Sequence, residues 1–144
     1  MRLIYREIKC RIQEGDYMTE KLDIYKCNVC GNIVQVLIPG VGELVCCSQP
    51  MVKQEIQHET DEMGEKHAPK REERDGKYYV HVKAHPMTPE HYIQFLEIIK
   101  DDKSEMHLKY FEPTDIPEHE FDELGDEFNA IEYCNIHHLW GENK

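Results

Sequence analysis

Short β-strands are the structure this sequence predicts first, and two observations carry that reading. Its β-branched and aromatic runs are brief and bounded by Pro, Gly or charged turns. Four of its six cysteines, Cys27, Cys30, Cys46 and Cys47, fall within a stretch too short for its own hydrophobic core. A bound metal would supply the stability such a stretch lacks.

Taken in order, residues 1–17 match no later pattern, and a second methionine stands at Met18. They read as an extension, and Cys10 within it as an unpaired thiol without a role. Leu22 to Cys27 alternates, and Ile33 to Ile38 is β-branched until Pro39-Gly40 stops it. Val52 to Gln57 reads as a linking strand and residues 58–76, polar and charged, as a long loop. Tyr78 to Lys83 and Met106 to Phe111 are expected strands. Thr88-Pro89-Glu90 has the form of a helix start, yet Tyr92 to Ile99 is β-branched and aromatic enough for a buried strand. Phe128 to Cys134 carries the same ambiguity, and periodicity leaves both segments open.

At 144 residues, 32% charged and 40% hydrophobic, the chain is globular: one ordinary domain, or a very small one joined to a medium one. The first residues carry charges every few positions and do not read as a signal peptide, so a cytoplasmic location is expected. In a reducing compartment, spaced cysteines more often bind metal than form disulfides. The net charge of −12 argues against nucleic acid and anionic membranes as partners. Residues 112–127 hold eight Asp or Glu and no Lys or Arg. By contrast Lys66, Lys70, Arg71, Arg74 and Lys77 make a local basic stretch, either a solvated loop or an attractor for a small anion.

Cys27-x-x-Cys30 places two sulfurs on one side of an ion, and Gly31 suits the tight turn that follows. A second pair from a nearby turn would complete a tetrahedron. That pair, Cys46-Cys47, is adjacent, so its side chains are expected to splay and distort the site. On these residues iron and zinc are equally acceptable.

Cys134 has no cysteine near it, and its close companion is His137 in Cys134-Asn-Ile-His137. A lone thiolate beside imidazole suits iron, copper or zinc. Among nine histidines, local context favours His67 in a loop with Glu65 and Lys66, and His85 and His91, which bracket the rigid Pro86-Met-Thr-Pro89. His58, His81, His107, His119 and His138 read as structural or solvated.

The combination resembles the desulfoferrodoxin family of superoxide reductases over about residues 18–141. Four pieces carry the resemblance. They are Tyr25-Lys-Cys27-Asn-Val-Cys30-Gly31-Asn32 with Gly42-Glu-Leu-Val-Cys46-Cys47; Glu65-Lys66-His67-Ala68-Pro69; His85-Pro86-Met87 through His91-Tyr92-Ile93; and Glu132-Tyr133-Cys134-Asn135-Ile136-His137 through Leu139-Trp140. The resemblance implies an all-β chain: after the extension at 1–17, a small desulforedoxin-like metal-bound β domain over 18–55, then an immunoglobulin-like β-sandwich over 56–144. Both ambiguous segments then become strands.

It also implies two mononuclear iron sites. One is a four-thiolate iron at Cys27, Cys30, Cys46 and Cys47. The other is a four-histidine, one-cysteine iron with His67, His85, His91 and His137 equatorial and Cys134 axial. Glu65 corresponds to the carboxylate that fills the sixth position at rest, and Lys66 to the lysine that attracts the substrate. The implied activity is one-electron reduction of superoxide to hydrogen peroxide, with a rubredoxin-like donor and a homodimeric assembly. His138 departs from the pattern, where a small residue is expected. Two readings compete: a non-catalytic metal-binding module and a rubredoxin-type electron-transfer protein. The first gives no reason for the Glu65-Lys66-His67 loop or a five-ligand set, since structural zinc is usually four-coordinate. The second would show as a coloured protein with one iron per chain and no superoxide-dependent oxidation.

Overall fold

Residues 18–58 and 61–142 are described in the structure, a computed structural model. The 1–17 extension and Cys10 lie outside the described residues. Two compact units divide the chain between Lys53 and Gln54.

In the first unit, β1 (Ile24–Lys26) and β2 (Ile33–Gln35) run antiparallel, and β3 (Val45–Cys46) pairs with β4 (Gln49–Pro50) as a separate hairpin. β5 (Val52–Lys53) pairs with the other edge of β1, giving the order β2-β1-β5. The expected strand at 33–38 ends at Gln35, and Ile38 beyond it is 88% exposed. The expected linking strand is likewise short: Val52–Lys53 pairs, and Gln57 instead forms a parallel bridge with Trp140 inside the second unit.

The second unit corrects the reading of 58–76 as a long loop. It holds a helix, α1 (Glu62–His67), and a strand, β6 (Lys70–Arg74). Asp61 starts the helix by accepting hydrogen bonds from the N–H groups of Met63 and Gly64, at 3.0 and 3.2 Å. Pro69 follows directly after the C-cap, Ala68. β6 then turns through Asp75-Gly76, both at positive φ (54° and 78°), into β7 (Lys77–His81). Asp-Gly at those angles is a common two-residue hairpin turn.

β8 (Ile93–Lys100), β9 (Met106–Tyr110), β10 (Glu118–Phe121), β11 (Phe128–Cys134) and β12 (His138–Gly141) complete the unit. One antiparallel sheet has the order β10-β7-β6 and the other β12-β11-β8-β9. Val80 from the first, with Val82 just beyond the end of β7, meets Ile93, Leu96, Ile98 and Ala130 from the second in one buried cluster with Phe111. That is a seven-stranded β-sandwich, so the fold is nearly all β and both ambiguous segments are strands. The helix-start signal at Thr88 is a turn: Thr88 and His91 exchange backbone hydrogen bonds of 2.8 and 3.1 Å across Pro89-Glu90.

Candidate metal centres

Four sulfurs converge in the first unit. The ligand atoms of Cys27, Cys30, Cys46 and Cys47 all lie within 4.8 Å of one another. Gly31, at φ 79°, closes the Cys27–Cys30 turn by donating to the Cys27 carbonyl at 2.9 Å, and the Cys30 N–H points at the Cys27 sulfur at 3.5 Å. The adjacent pair avoids the expected splay through its backbone. Cys47 and Ser48 both take positive φ (51° and 61°) between β3 and β4, which brings Cys47 Sγ to 3.9 Å from Cys46 Sγ. Cys30 Sγ lies 3.6 Å from Cys46 Sγ. Metal–sulfur bonds of about 2.3 Å in a tetrahedron require sulfur–sulfur edges of about 3.8 Å. Both separations fit.

The acid–base chemistry points the same way. Backbone N–H groups of Cys30 and Val29 lower the Cys27 thiol to about 6. Hydrogen bonds among the crowded sulfurs raise Cys46, and they push Cys47 up to about 12. Four thiolates cannot coexist at these distances without a cation among them, and a divalent metal removes the conflict.

The second centre draws ligands from three places on the sandwich. His67 ends α1 and is buried. His85 and His91 flank the turn between β7 and β8, and their Nε2 atoms face each other at 3.1 Å. Cys134, fully buried, ends β11. Ligand atoms of these four lie within 4.8 Å of one another. His137 stands at the edge of the group: its ring is 4.8 Å from that of His67 and 4.7 Å from that of His91, and its Nδ1 is 3.9 Å from Cys134 Sγ.

Contacts between elements hold these ligands in place. Asn135 accepts from the Tyr92 N–H (3.0 Å) and donates to the Glu90 carbonyl (2.9 Å), tying the Cys134–His137 turn to the His85–His91 loop. Trp140 stacks on His67 at 5.2 Å and donates to the His137 carbonyl at 3.0 Å. Glu132 Oε1 lies 3.0 Å from His67 Nδ1, leaving Nε2 for the centre of the group. None of these contacts is visible as a local motif. Glu132 and Trp140 sit inside the fourth sequence piece without a stated role, and only the fold brings them to His67.

Charge explains why this group suits a cation. Burial, then the neighbouring histidines, lowers His67 to about 3 and His85 to about 4, so the rings are neutral donors. Burial pushes the Cys134 thiol up. Burial also raises the Glu132 carboxyl well above its ordinary value, and its Oε2 is buried without a hydrogen-bond partner. A positive ion among the histidines would stabilise both anions and fix His67 Nδ1–H as the donor to Glu132.

Beside the group opens a cavity of about 680 Å³, lined by Asp61, Glu62, Met63, Lys66, Ala84 and Pro86 together with His67, His91 and His137. Lys66 is on this lining. Glu65 is exposed on the same helix and is not. The rest of the basic stretch is largely paired: Arg71 with Glu142, Arg74 with Glu72 and Glu118, and Lys77 with Glu120. His81 and His107 contact Glu72 and Glu105, and His119 packs on Phe121. His138 is exposed, with Nδ1 3.2 Å from the Tyr133 hydroxyl.

Comparison with known proteins agrees with this two-centre arrangement. The family "Desulfoferrodoxin, N-terminal domain" matches residues 19–54, and the family "Desulfoferrodoxin" matches residues 59–143. A desulfoferrodoxin homolog from Archaeoglobus fulgidus is 49% identical over 125 residues, spanning 85% of this chain and 98% of its own. The desulfoferrodoxin of Desulfarculus baarsii is 47% identical over 125 residues, covering 85% and 97%. Desulforedoxin from Megalodesulfovibrio gigas is 54% identical over 37 residues, 26% of this chain and all of its own. Among solved structures, the superoxide reductase from Treponema pallidum superposes with a TM-score of 0.58 over 90% of this chain and 99% of that one. At 23% identity it speaks for the fold. With a four-cysteine group in the first matched segment and a histidine–cysteine group in the second, the chain belongs to the desulfoferrodoxin family.

Proposed function

We propose that this protein is a superoxide reductase, an oxidoreductase that takes superoxide as electron acceptor and releases hydrogen peroxide. The observation that carries the reading is the convergence of His67, His85, His91 and Cys134, with His137 at the edge, beside a cavity that Lys66 also lines. Both donor sets hold iron in this reading: Cys27, Cys30, Cys46 and Cys47 in the first unit, and the four histidines with Cys134 in the second. Bound in the second site, iron supplies the one-electron couple that superoxide reduction needs.

The remaining work falls to side chains. Imidazole ligands add no charge, so a divalent iron opposed by one thiolate would leave the site net positive. The Lys66 ammonium adds to it at the cavity, so a small anion is drawn in despite the acidic chain. Lys66 also holds a proton at Nζ where the reduced product needs one. Cys134 contributes a buried thiolate whose electron density tunes the site. Glu65 is assigned as the carboxylate that closes the open position at rest. It stands one residue before Lys66 on α1, outside the cavity lining.

Around this core we place a rubredoxin-like donor, a cytoplasmic location suited to reduced thiolates, and a homodimer. Support for the homodimer comes from the first unit, where Val29, Leu37, Ile38 and Val45 are all more than half exposed. No helix among the described residues is long and apolar enough to cross a membrane. Pulse radiolysis of the pre-reduced protein tests the function: superoxide should be consumed in a second-order reaction with peroxide formed and no dioxygen. Decay of superoxide at its spontaneous rate would refute it.

A further inference from the structure

We propose that Tyr110, Phe95 and Tyr133 form the route by which the electron that regenerates the catalytic site crosses from the protein surface to Cys134. The inference rests on the superoxide reductase reading. Along β8, Leu96 and Ile98 point into the sandwich core, so Phe95 belongs to the other face of the sheet. There it is in register with Tyr133 of β11 on one side and Tyr110 of β9 on the other. Phe95 and Tyr133 stack at 5.5 Å with 10° between the ring planes, and Phe95 and Tyr110 meet edge to face at 6.4 Å.

Cross-strand aromatic pairs commonly stabilise sheets by a few tenths to about 1 kcal/mol. Stability alone does not account for where this column begins and ends. Tyr110 is 72% exposed, whereas Tyr133 is 1% exposed and is bonded directly to Cys134, the buried thiolate ligand. The register of β11 shifts between these two residues, a bulge at the point where the aromatic column meets the ligand. None of the three aromatics lines the substrate cavity. A donor at Tyr110 therefore would not block superoxide.

The step balances without bond making. A reduced one-electron iron–thiolate carrier of the rubredoxin type loses one electron, the oxidised catalytic iron gains it, and no proton moves. The rings act as a tunnelling medium and are not themselves oxidised.

The test is anaerobic stopped-flow reduction of the holoprotein after its catalytic site has been oxidised. Reduced rubredoxin is one reductant and ascorbate the control. Tyr110→Ala, at an exposed position that leaves the fold intact, and Phe95→Leu should slow reduction by rubredoxin about tenfold. Tyr110→Phe should restore it. Ascorbate reduction, the site's reduction potential and its thiolate charge-transfer band should not move in any variant. Unchanged rubredoxin rates in both Tyr110→Ala and Phe95→Leu would overturn the route. So would a parallel fall with both reductants or a shifted band, since the residues would then act by holding the site. Failure of the underlying function shows separately, as pre-reduced wild-type protein that does not consume superoxide under pulse radiolysis.

Discussion

Around the four cysteines the protein is thin, and around Cys134 it is thick. Cys30 and Cys47 are exposed and Cys46 half-buried, while His67, His85 and Cys134 are all buried. Among the described residues, the first unit contributes only Ile24 and Cys27 to the buried apolar set; the rest come from the sandwich. The contrast separates two ways of making a metal site. In the first unit the ion replaces a core, so folding and binding are one event. In the second the core comes first and presents the ligands.

Metal removal puts that contrast under the most severe strain. Structural zinc in small finger peptides is worth about 10–16 kcal/mol. Chelation should therefore abolish amide protection over residues 19–53, while strands β7, β8 and β11 stay protected. Hydrogen exchange on the metal-free protein reads both at once. Equal loss in the two units would dissolve the distinction.

Acid should next separate the units in the metal-free protein. His67 and His85 are held near 3 and 4 in the folded chain, against 6.5 when unfolded. Between those values the unfolded chain binds more protons at these two rings, so their contribution to sandwich stability is full above about pH 6.5 and is lost as the pH drops toward 3. The raised Glu132 carboxyl works in the opposite sense, so the measurement is made in a Glu132→Gln background. Denaturant midpoints that stay flat from pH 7 to 4 would contradict neutral burial of these rings.

Single substitutions then probe the second site. Cys134→Ser should remove the thiolate charge-transfer band and cost more than the roughly 100-fold that outer contacts can. Survival of both band and rate would remove Cys134 from the ligand set. Glu132→Gln should weaken metal binding at the second site by about 10–100-fold and leave the four-cysteine site untouched. Competition with a chromophoric chelator measures both sites in one titration. Lys66→Ala should slow superoxide capture by about tenfold at low salt and flatten its dependence on ionic strength. A rate that is unchanged at every ionic strength would end the steering argument.

How far the sequence revealed these features depended on how local each one was. The Cys27–Cys30 pair and the Cys134–His137 spacing are local, and they were legible from the residues. The choice of His67, His85 and His91 leaned on motif context and family resemblance, and the fold then gathers all three at one point. What the residues alone do not show is long-range: Glu132 lies 65 positions from His67, and Arg71 lies 71 from the Glu142 that pairs with it. β8 and β11 stayed ambiguous for a related reason. Four of eight residues in β8 and five of seven in β11 are buried, in runs rather than in alternation, so no period of two appears. The missed β6–β7 hairpin is different, because Asp75-Gly76 announced it and the surrounding charge obscured it.

Trp140 also makes one of the two centres visible. It is the chain's one tryptophan, and its indole lies flat against His67. The protein thus carries an intrinsic optical gauge at the edge of its second metal site. Its emission should change as that site fills. Loading of that centre can then be followed with no label added.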